Sequence, residues 1–310
     1  MKCVILGGGG FIGSAVADRL LRDHHEVRIF EQPRVRPYRK FAPNERVEWL
    51  TGDFLSMHDV GKAVEGTDAV LHLISTTLPH TSNDDPIFDV QSNVVASLQL
   101  ASAMVTHRIP KIVFISSGGT VYGRLRASPI NEEHPTDPLV SCGVSKLAIE
   151  KFLLMFERMH GIQARILRVS NAFGERHRVE TGQGAIGVFL DRALCHKPIE
   201  IWGDGSIIRD YIYVDDVAEA FARALEYSGR HSVFNVSSAA GTSLKELVRL
   251  IEDVTGERMD CRYLPARPFD VPVSVLDNGR ARAELGWAPR VSLSDGIART
   301  AAWMRSNLTR

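Results

Sequence analysis

No run of apolar residues in this chain approaches the roughly 20 that a membrane-spanning helix needs. Cysteine is scarce: Cys3, Cys142, Cys195 and Cys261 stand far apart, with neither a CxxC pair nor a zinc spacing. That excludes a disulfide framework and a structural zinc finger, and fits a reduced, cytoplasmic compartment. The 11 histidines are scattered, and His24, His25 and His160 read as surface or helix-end residues, so no metal is expected. Charge of one sign is missing too. Lys+Arg and Asp+Glu are 37 each and cancel, which leaves no basic field for nucleic acid and no acidic tail. Internal repeats and low-complexity linkers are absent. The chain opens directly on a strand pattern, so no signal peptide is expected. Its 310 residues suffice for one large α/β domain, or for one with a smaller lobe.

What the chain does have is a glycine turn at its start. Val4-Ile5-Leu6 is a short apolar run that reads as a buried strand, Gly7 to Gly10 follow, and a helical pattern begins at Phe11-Ile12-Gly13. Strand, glycine turn and helix start together make an anion cradle. Backbone N–H groups and the positive helix end face a phosphate, and glycine lets it come close. Glycine turns are common, so it is the strand before and the helix after that point to a dinucleotide.

The pattern beyond alternates strands and helices. Strands are predicted at 26–31, 47–50, 69–74, 111–117, 164–171 and 232–237. Helices are predicted at 12–22, 56–64, 94–105, 141–159 and 186–194, and again from Ile212 and from Thr242. The first of these helices has Ala15, Val16, Leu20 and Leu21 on one face. This order implies an α/β fold, a Rossmann-type doubly wound parallel sheet, with ligands at the carboxyl ends of the strands. A smaller C-terminal substrate-binding lobe is expected: residues 1–174 and 212–239 hold the dinucleotide, and 175–211 with 240–310 form the lobe. Glu31 ends the second strand, where a carboxylate accepts from the adenosine ribose and repels a 2′-phosphate, which favours NAD. Arg34 and Arg36 follow and could instead hold such a phosphate, or be a solvated loop. Asp53 either accepts from the adenine amino group or caps the helix from Ser56. Asp215 or Asp216 is expected to cap the helix from Ile212.

Taken together, several segments carry a resemblance across nearly the whole chain: GGGGFIGS (7–14), HLIS (72–75), ISSGGTVYG (115–123), SCGVSKLAIEKF (141–152), ILRVSNAFGER (166–176), IWGDGSIIRDYIYVDDVAEA (201–220) and LGWAP (285–289). The chain resembles an extended short-chain dehydrogenase/reductase of the NAD-dependent nucleotide-sugar epimerase/dehydratase family, UDP-glucose 4-epimerase-like. That resemblance implies NAD as cofactor, transient oxidation at the sugar C4, and a UDP-sugar or related sugar nucleotide as substrate. It also implies a homodimer built on helices near 94–106 and 143–158, with neither nucleic acid nor membrane as partner. Cofactor contacts are then expected from Gly7, Gly10, Phe11, Ile12, Gly13, Glu31, Asp53, Phe54, Leu73 and Lys146. Substrate contacts are expected from Asn171, Val188, Phe189, Arg209, Arg267 and Asp270, with residues 199–203 shaping the base pocket. The two arginines suit the diphosphate. For Arg209 the competing reading is a salt bridge to Asp210 or Asp215, and for Arg267 a solvated loop.

Two positions depart from the family pattern. The family's YxxxK pair has Lys146 in place, but its tyrosine is Cys142, and its usual serine or threonine is Gly118. A thiol titrates near 8.5 against about 10 for a phenol, so a nearby Lys146 could favour thiolate. Its side chain is too short to reach where the phenol would, unless water bridges the gap. Ser117, then Thr120, are the nearest hydroxyls left. Three readings stand open: a tyrosine-to-cysteine variant of an epimerase, an enzyme using Cys142 with water or another group as base, or a non-catalytic binder of NAD and sugar nucleotide. The Asp-Glu pair of the 4,6-dehydratases is replaced by Gly119 and Thr120, which argues against dehydration.

Overall fold

The computed structural model describes residues 1–77, 81–266 and 271–308. Its centre is a seven-stranded parallel sheet in the order β10-β6-β5-β4-β1-β2-β3. The strands are β1 (Lys2–Leu6), β2 (Glu26–Glu31), β3 (Val47–Thr51), β4 (Ala69–His72), β5 (Lys111–Ser117), β6 (Gln163–Val169) and β10 (Val233–Val236). Alternation along the strands explains the two packed layers. Cys3 and Ile5 of β1 join one apolar layer while Val4 and Leu6 join the other. The first layer is covered by α1 (Phe11–Arg22) and α7 (Val214–Glu226). The second is covered by α2 (Met57–Val64), α4 (Ala96–His107) and α5 (Ser141–His160). The order reverses at β1 and β4, and the glycine turn stands at that switch point.

A second body of structure lies beyond β6. The short strand β7 (Asn171–Phe173) pairs with β9 (Ile208–Tyr213), which also pairs with β11 (Gly241–Ser243) and β13 (Val273–Ser274). A two-stranded sheet of β8 (Ile199–Trp202) and β12 (Cys261–Leu264) flanks it. With α6 (Ala185–Leu194), α8 (Leu244–Thr255) and α10 (Leu293–Leu308), these strands enclose a separate core around Phe173, Leu190, Ile201, Tyr213, Leu247 and Ile297. The short helix α9 (Gly279–Leu285) instead packs on the central sheet, beside the buried Trp287.

Local differences from the sequence reading have physical causes. The helix expected at 94–105 begins much earlier, as α3 (Pro86–Asp89), and passes through a π-helical turn (Val90–Val95) into α4. Asp85 caps it by accepting from the Phe88 N–H. The strand expected at 164–171 is two strands, because Ser170 is shared between the central sheet and β9. Its N–H donates to Val236 O and its hydroxyl to Asp210. The strand expected to reach Ile74 ends at His72, although the Leu73 N–H still donates to Leu6 O. Helix α2 is capped by Ser56, not Asp53, whose carboxylate accepts from the Leu55 N–H. Neither Asp215 nor Asp216 caps α7, which starts at Val214, after β9. Asp216 accepts instead from the N–H groups of Arg290 and Val291, and fixes the segment after Trp287.

Candidate active site

The glycine turn closes on itself. The Gly7 N–H donates to Phe30 O, and the Gly10 N–H donates back to Gly7 O, 3.1 Å away. A Cβ on Gly13 would stand 2.0 Å from Gly7 O, so no other residue fits there. Gly10 caps α1 without a side chain, so no capping side chain occupies the N–H groups of the helix start. Glu31 is already engaged by the backbone. It accepts from the Gly9 N–H at 2.9 Å and from the Gln32 N–H at 3.3 Å, tying the end of β2 to the turn. Burial pushes its carboxyl above the usual range. A cavity of about 480 Å³ opens here, lined by Gly7, Gly10, Glu31, Asp53 and Phe54 together with Arg178. Arg34 also lines it. The cradle and the carboxylate fit an adenosine diphosphate.

A second cavity, of about 520 Å³, shares Leu73 and Ser75 with the first. Phe11 and Ile12 line it from α1, Ser117 and Thr120 from the end of β5, and Cys142 and Lys146 from α5. Apart from Gly13, the sequence-predicted cofactor and proton-handling residues thus line two adjoining cavities.

Lys146 and Cys142 lie one turn apart on α5. The Lys146 ammonium donates to Ile115 O at 3.0 Å and lies 5.2 Å from the Phe114 ring centre. Burial pushes it down to about 8. The thiol goes the other way. Cys142 is 7% exposed, and burial raises its pKa although Lys146 and Ser82 pull it down. The expectation that Lys146 would favour thiolate is therefore not met, since desolvation outweighs the neighbouring charge.

The start of α5 is held by a buried carboxylate that sequence reasoning missed. Asp89, fully buried, accepts from Ser141 Oγ at 2.8 Å, Ser145 Oγ at 2.6 Å, Asn93 Nδ2 at 3.0 Å and the Thr77 hydroxyl. The π-helical turn is what brings Asn93 and Asp89 to Thr77, and such turns recur at functional sites. Asp85 followed by Pro86 was the available sign that the helix starts early.

Hydroxyls near the thiol differ in their engagement. Ser116 donates to Glu150, which also takes a buried salt bridge from Arg168 at 2.6 Å. Thr120 Oγ1 is buried without a hydrogen-bond partner. Tyr122 is not in the cleft: its hydroxyl donates to Asn235 Oδ1 at 2.6 Å, and burial pushes it up to about 12. Beside Gly118 the space is filled by Leu276, whose Cδ1 would be 2.2 Å from an added Cβ.

Of the residues expected to meet substrate, Asn171 and Arg209 line the second cavity. Asn171 Nδ2 donates to Asp210 O at 2.9 Å, and Arg209 Nη1 donates to Val271 O at 2.7 Å. Asp210 takes its hydrogen bonds from Ser170, Ser238 and Leu276. Phe189 is buried in the core of the second body and Val188 packs against that core. Neither is among the residues lining the two cavities. Arg267 and Asp270 lie outside the described residues. His177 and Arg178 line the cleft without having been singled out, because no periodicity or motif marks the irregular stretch after Gly174.

Comparison with known proteins follows the same outline. The family described as NAD dependent epimerase/dehydratase matches residues 3–237. The UDP-glucose 4-epimerase of Mycolicibacterium smegmatis is 34% identical over 310 residues, covering 99% of each chain. The crystal structure of Thermotoga maritima UDP-glucose 4-epimerase with UDP-glucose superposes with a TM-score of 0.93 at 30% identity, over 99% of this chain and 100% of that one. The UDP-N-acetylglucosamine 4-epimerase of Methanobrevibacter ruminantium, in complex with UDP-N-acetylmuramic acid, gives 0.92 at 29% identity over 99% and 98%. The fold, the cradle and these likenesses agree: the chain belongs to the NAD dependent epimerase/dehydratase family of extended short-chain dehydrogenases/reductases, whose cofactor is NAD.

Proposed function

We propose that this chain is a UDP-sugar 4-epimerase acting by transient oxidation at C4, with its proton-handling group altered at Cys142. The observation that carries the reading is the pair of adjoining cavities. Lys146, Cys142, Thr120 and Ser117 face the same cavity as Phe11 and Ile12 at the start of α1. Residues 1–174 and 212–239 hold the cofactor, and 175–211 with 240–310 hold the sugar nucleotide. The cofactor contacts are Gly7, Gly10, Phe11, Ile12 and Gly13, then Glu31, Asp53, Phe54, Leu73 and Lys146. Asn171 and Arg209 take the diphosphate or the sugar. When bound, NAD supplies the hydride acceptor. The chain's own part is to move one proton. Burial raises the Cys142 pKa, so the thiol keeps its own proton and is not the base. Thr120 or Ser117 bonds the reacting hydroxyl, its proton passes to the neutral amine form of Lys146, which burial makes more populated, and the same proton returns to that oxygen when the C4 carbonyl is reduced.

Cys142 and Leu276 also favour a second reading, in which the chain binds NAD and a sugar nucleotide without turnover. One assay separates them. Wild type and Cys142→Tyr are incubated with UDP-glucose, UDP-galactose and their N-acetyl and uronate forms, without added NAD. The first reading expects slow interconversion by wild type and a large gain in kcat for the tyrosine form. Absence of turnover in both would sink it.

The outer faces of α4 and α5 support a homodimer. Val144 and Phe152 are exposed there, and a small apolar hollow lies between Leu98, Ala101, Ile149 and Phe152. Among the described residues, no helix is long and apolar enough to cross a membrane, and no group of three or more His, Cys, Asp or Glu is placed to hold a metal.

A further inference from the structure

Four successive side chains after Gly174 sit on four different places. Glu175 accepts from the Tyr213 hydroxyl of β9 at 2.5 Å. Arg176, whose φ is +66°, bonds Asp18 of α1 at 2.8 Å and lies 4.7 Å over the Tyr38 ring. The His177 ring stacks flat on Phe11, with centroids 4.5 Å apart and planes 4° from parallel. Gly184 also packs closely on this ring, where an added Cβ would stand 2.2 Å from His177 Cε1. Arg178 lines the cavity that holds Glu31, and its charge acts on that carboxylate. The same segment reaches the sugar side, since His177, Gln183 and Gly184 line the second cavity with Asn171 and Arg209.

We propose that residues 175–184 form a strap in which His177 and Arg178 hold the cofactor from the lobe side, so that cofactor release is coupled to occupancy of the sugar-nucleotide cavity. The proposal rests on the family's cofactor and adds residues that the family motifs do not mark in this chain. The chemistry fits. A guanidinium beside Glu31 offers planar donors to a diphosphate or to ribose hydroxyls. The imidazole, held neutral by burial, keeps one nitrogen able to donate and one able to accept. Arg176 and Glu175 anchor the strap's base, and a backbone in the left-handed region at Arg176 turns the following two side chains toward the cleft. A nucleotide seated against Gln183 and Gly184 would oppose lifting of the strap, and the cofactor would then leave more slowly.

The test uses the purified full chain stripped of nucleotide, with NAD and ADP titrated calorimetrically and NAD release followed by stopped flow, with and without UDP. Arg178→Ala is expected to weaken both NAD and ADP about tenfold, with Arg178→Lys in between. UDP is expected to slow NAD release several-fold in wild type, and this slowing is expected to vanish in the His177→Ala/Arg178→Ala double variant. Thermal melting without ligand checks that the variants fold. Arg178→Ala binding NAD and ADP within twofold of wild type, with the UDP effect intact, would overturn the strap. Wild type failing to bind NAD would overturn the cofactor assignment as well. Turnover enters none of these readouts, so a failure of the epimerase reading is told apart from a failure of the strap.

Discussion

Gly118 and Leu276 divide one space between them: a Cβ on the glycine would stand 2.2 Å from the leucine Cδ1, and Leu276 is 1% exposed. The missing hydroxyl is therefore not merely deleted, because its place is taken by a leucine. Gly118→Ser alone is expected to lower stability by about 1–3 kcal/mol through overpacking. Leu276→Ala alone is expected to cost about 2–5 kcal/mol through the cavity it leaves. The double variant should be more stable than the sum of the two predicts, and denaturant midpoints of all four proteins check the coupling.

Lys146 carries a charge at a cost in stability. Its folded pKa is about 8, against 10.5 for an exposed lysine. A depressed pKa means that the folded state holds fewer protons between those values, so stability is lost as pH falls from about 10.5 to about 8. Lys146→Met is expected to raise stability at pH 7 by roughly 1–3 kcal/mol while abolishing turnover. A melting temperature unchanged or lowered at pH 7 would count against it.

His72 gives an acid limit. Its ring is buried between Phe54 and Phe114, with Nε2 2.9 Å from Ser97 Oγ, and burial lowers its pKa to about 3. The unfolded chain takes up this proton near 6.5 and the folded chain does not. Stability is thus present above pH 6.5 and lost as pH falls toward 3. Between pH 6.5 and 5 the loss is on the order of 2 kcal/mol. Urea titrations at those two values should show a shallower slope for His72→Gln.

The Arg168–Glu150 pair is buried on both sides, 4% and 1% exposed. Removing one partner strands a charge, and Arg168→Met is expected to cost about 3–5 kcal/mol. Arg168→Met/Glu150→Leu should recover most of that, even though Ser116 then loses its acceptor. Chemical denaturation of the three proteins decides it.

Much of this was legible in the sequence. Strand runs such as Val4-Ile5-Leu6 and the glycine turn needed only local rules, since composition and spacing within each segment mark them whatever they later pair with. What escaped depended on distant residues meeting. Leu276 reaches Gly118 from the far end of the chain, and no periodicity announces it. Ser170 reads as strand, but its hydroxyl is drawn to Asp210, which ends β6 one residue earlier. Desolvation, which reverses the expected titration of Cys142, is a property of burial that spacing cannot supply. Phe189 was expected in the substrate pocket and packs in a core, because one apolar helix face looks much like another.

Asp210 is fully buried, and its carboxylate accepts from Ser170, from the N–H and hydroxyl of Ser238, and from the Leu276 N–H. Segments that leave β6, leave β10 and return toward Gly118 are thus pinned to one oxygen pair on β9. A rivet of this kind leaves the two sheets no hinge at their junction. The floor of the cleft then has a fixed gauge, and any change in its width must come from the loops above it, not from the sheets swinging apart.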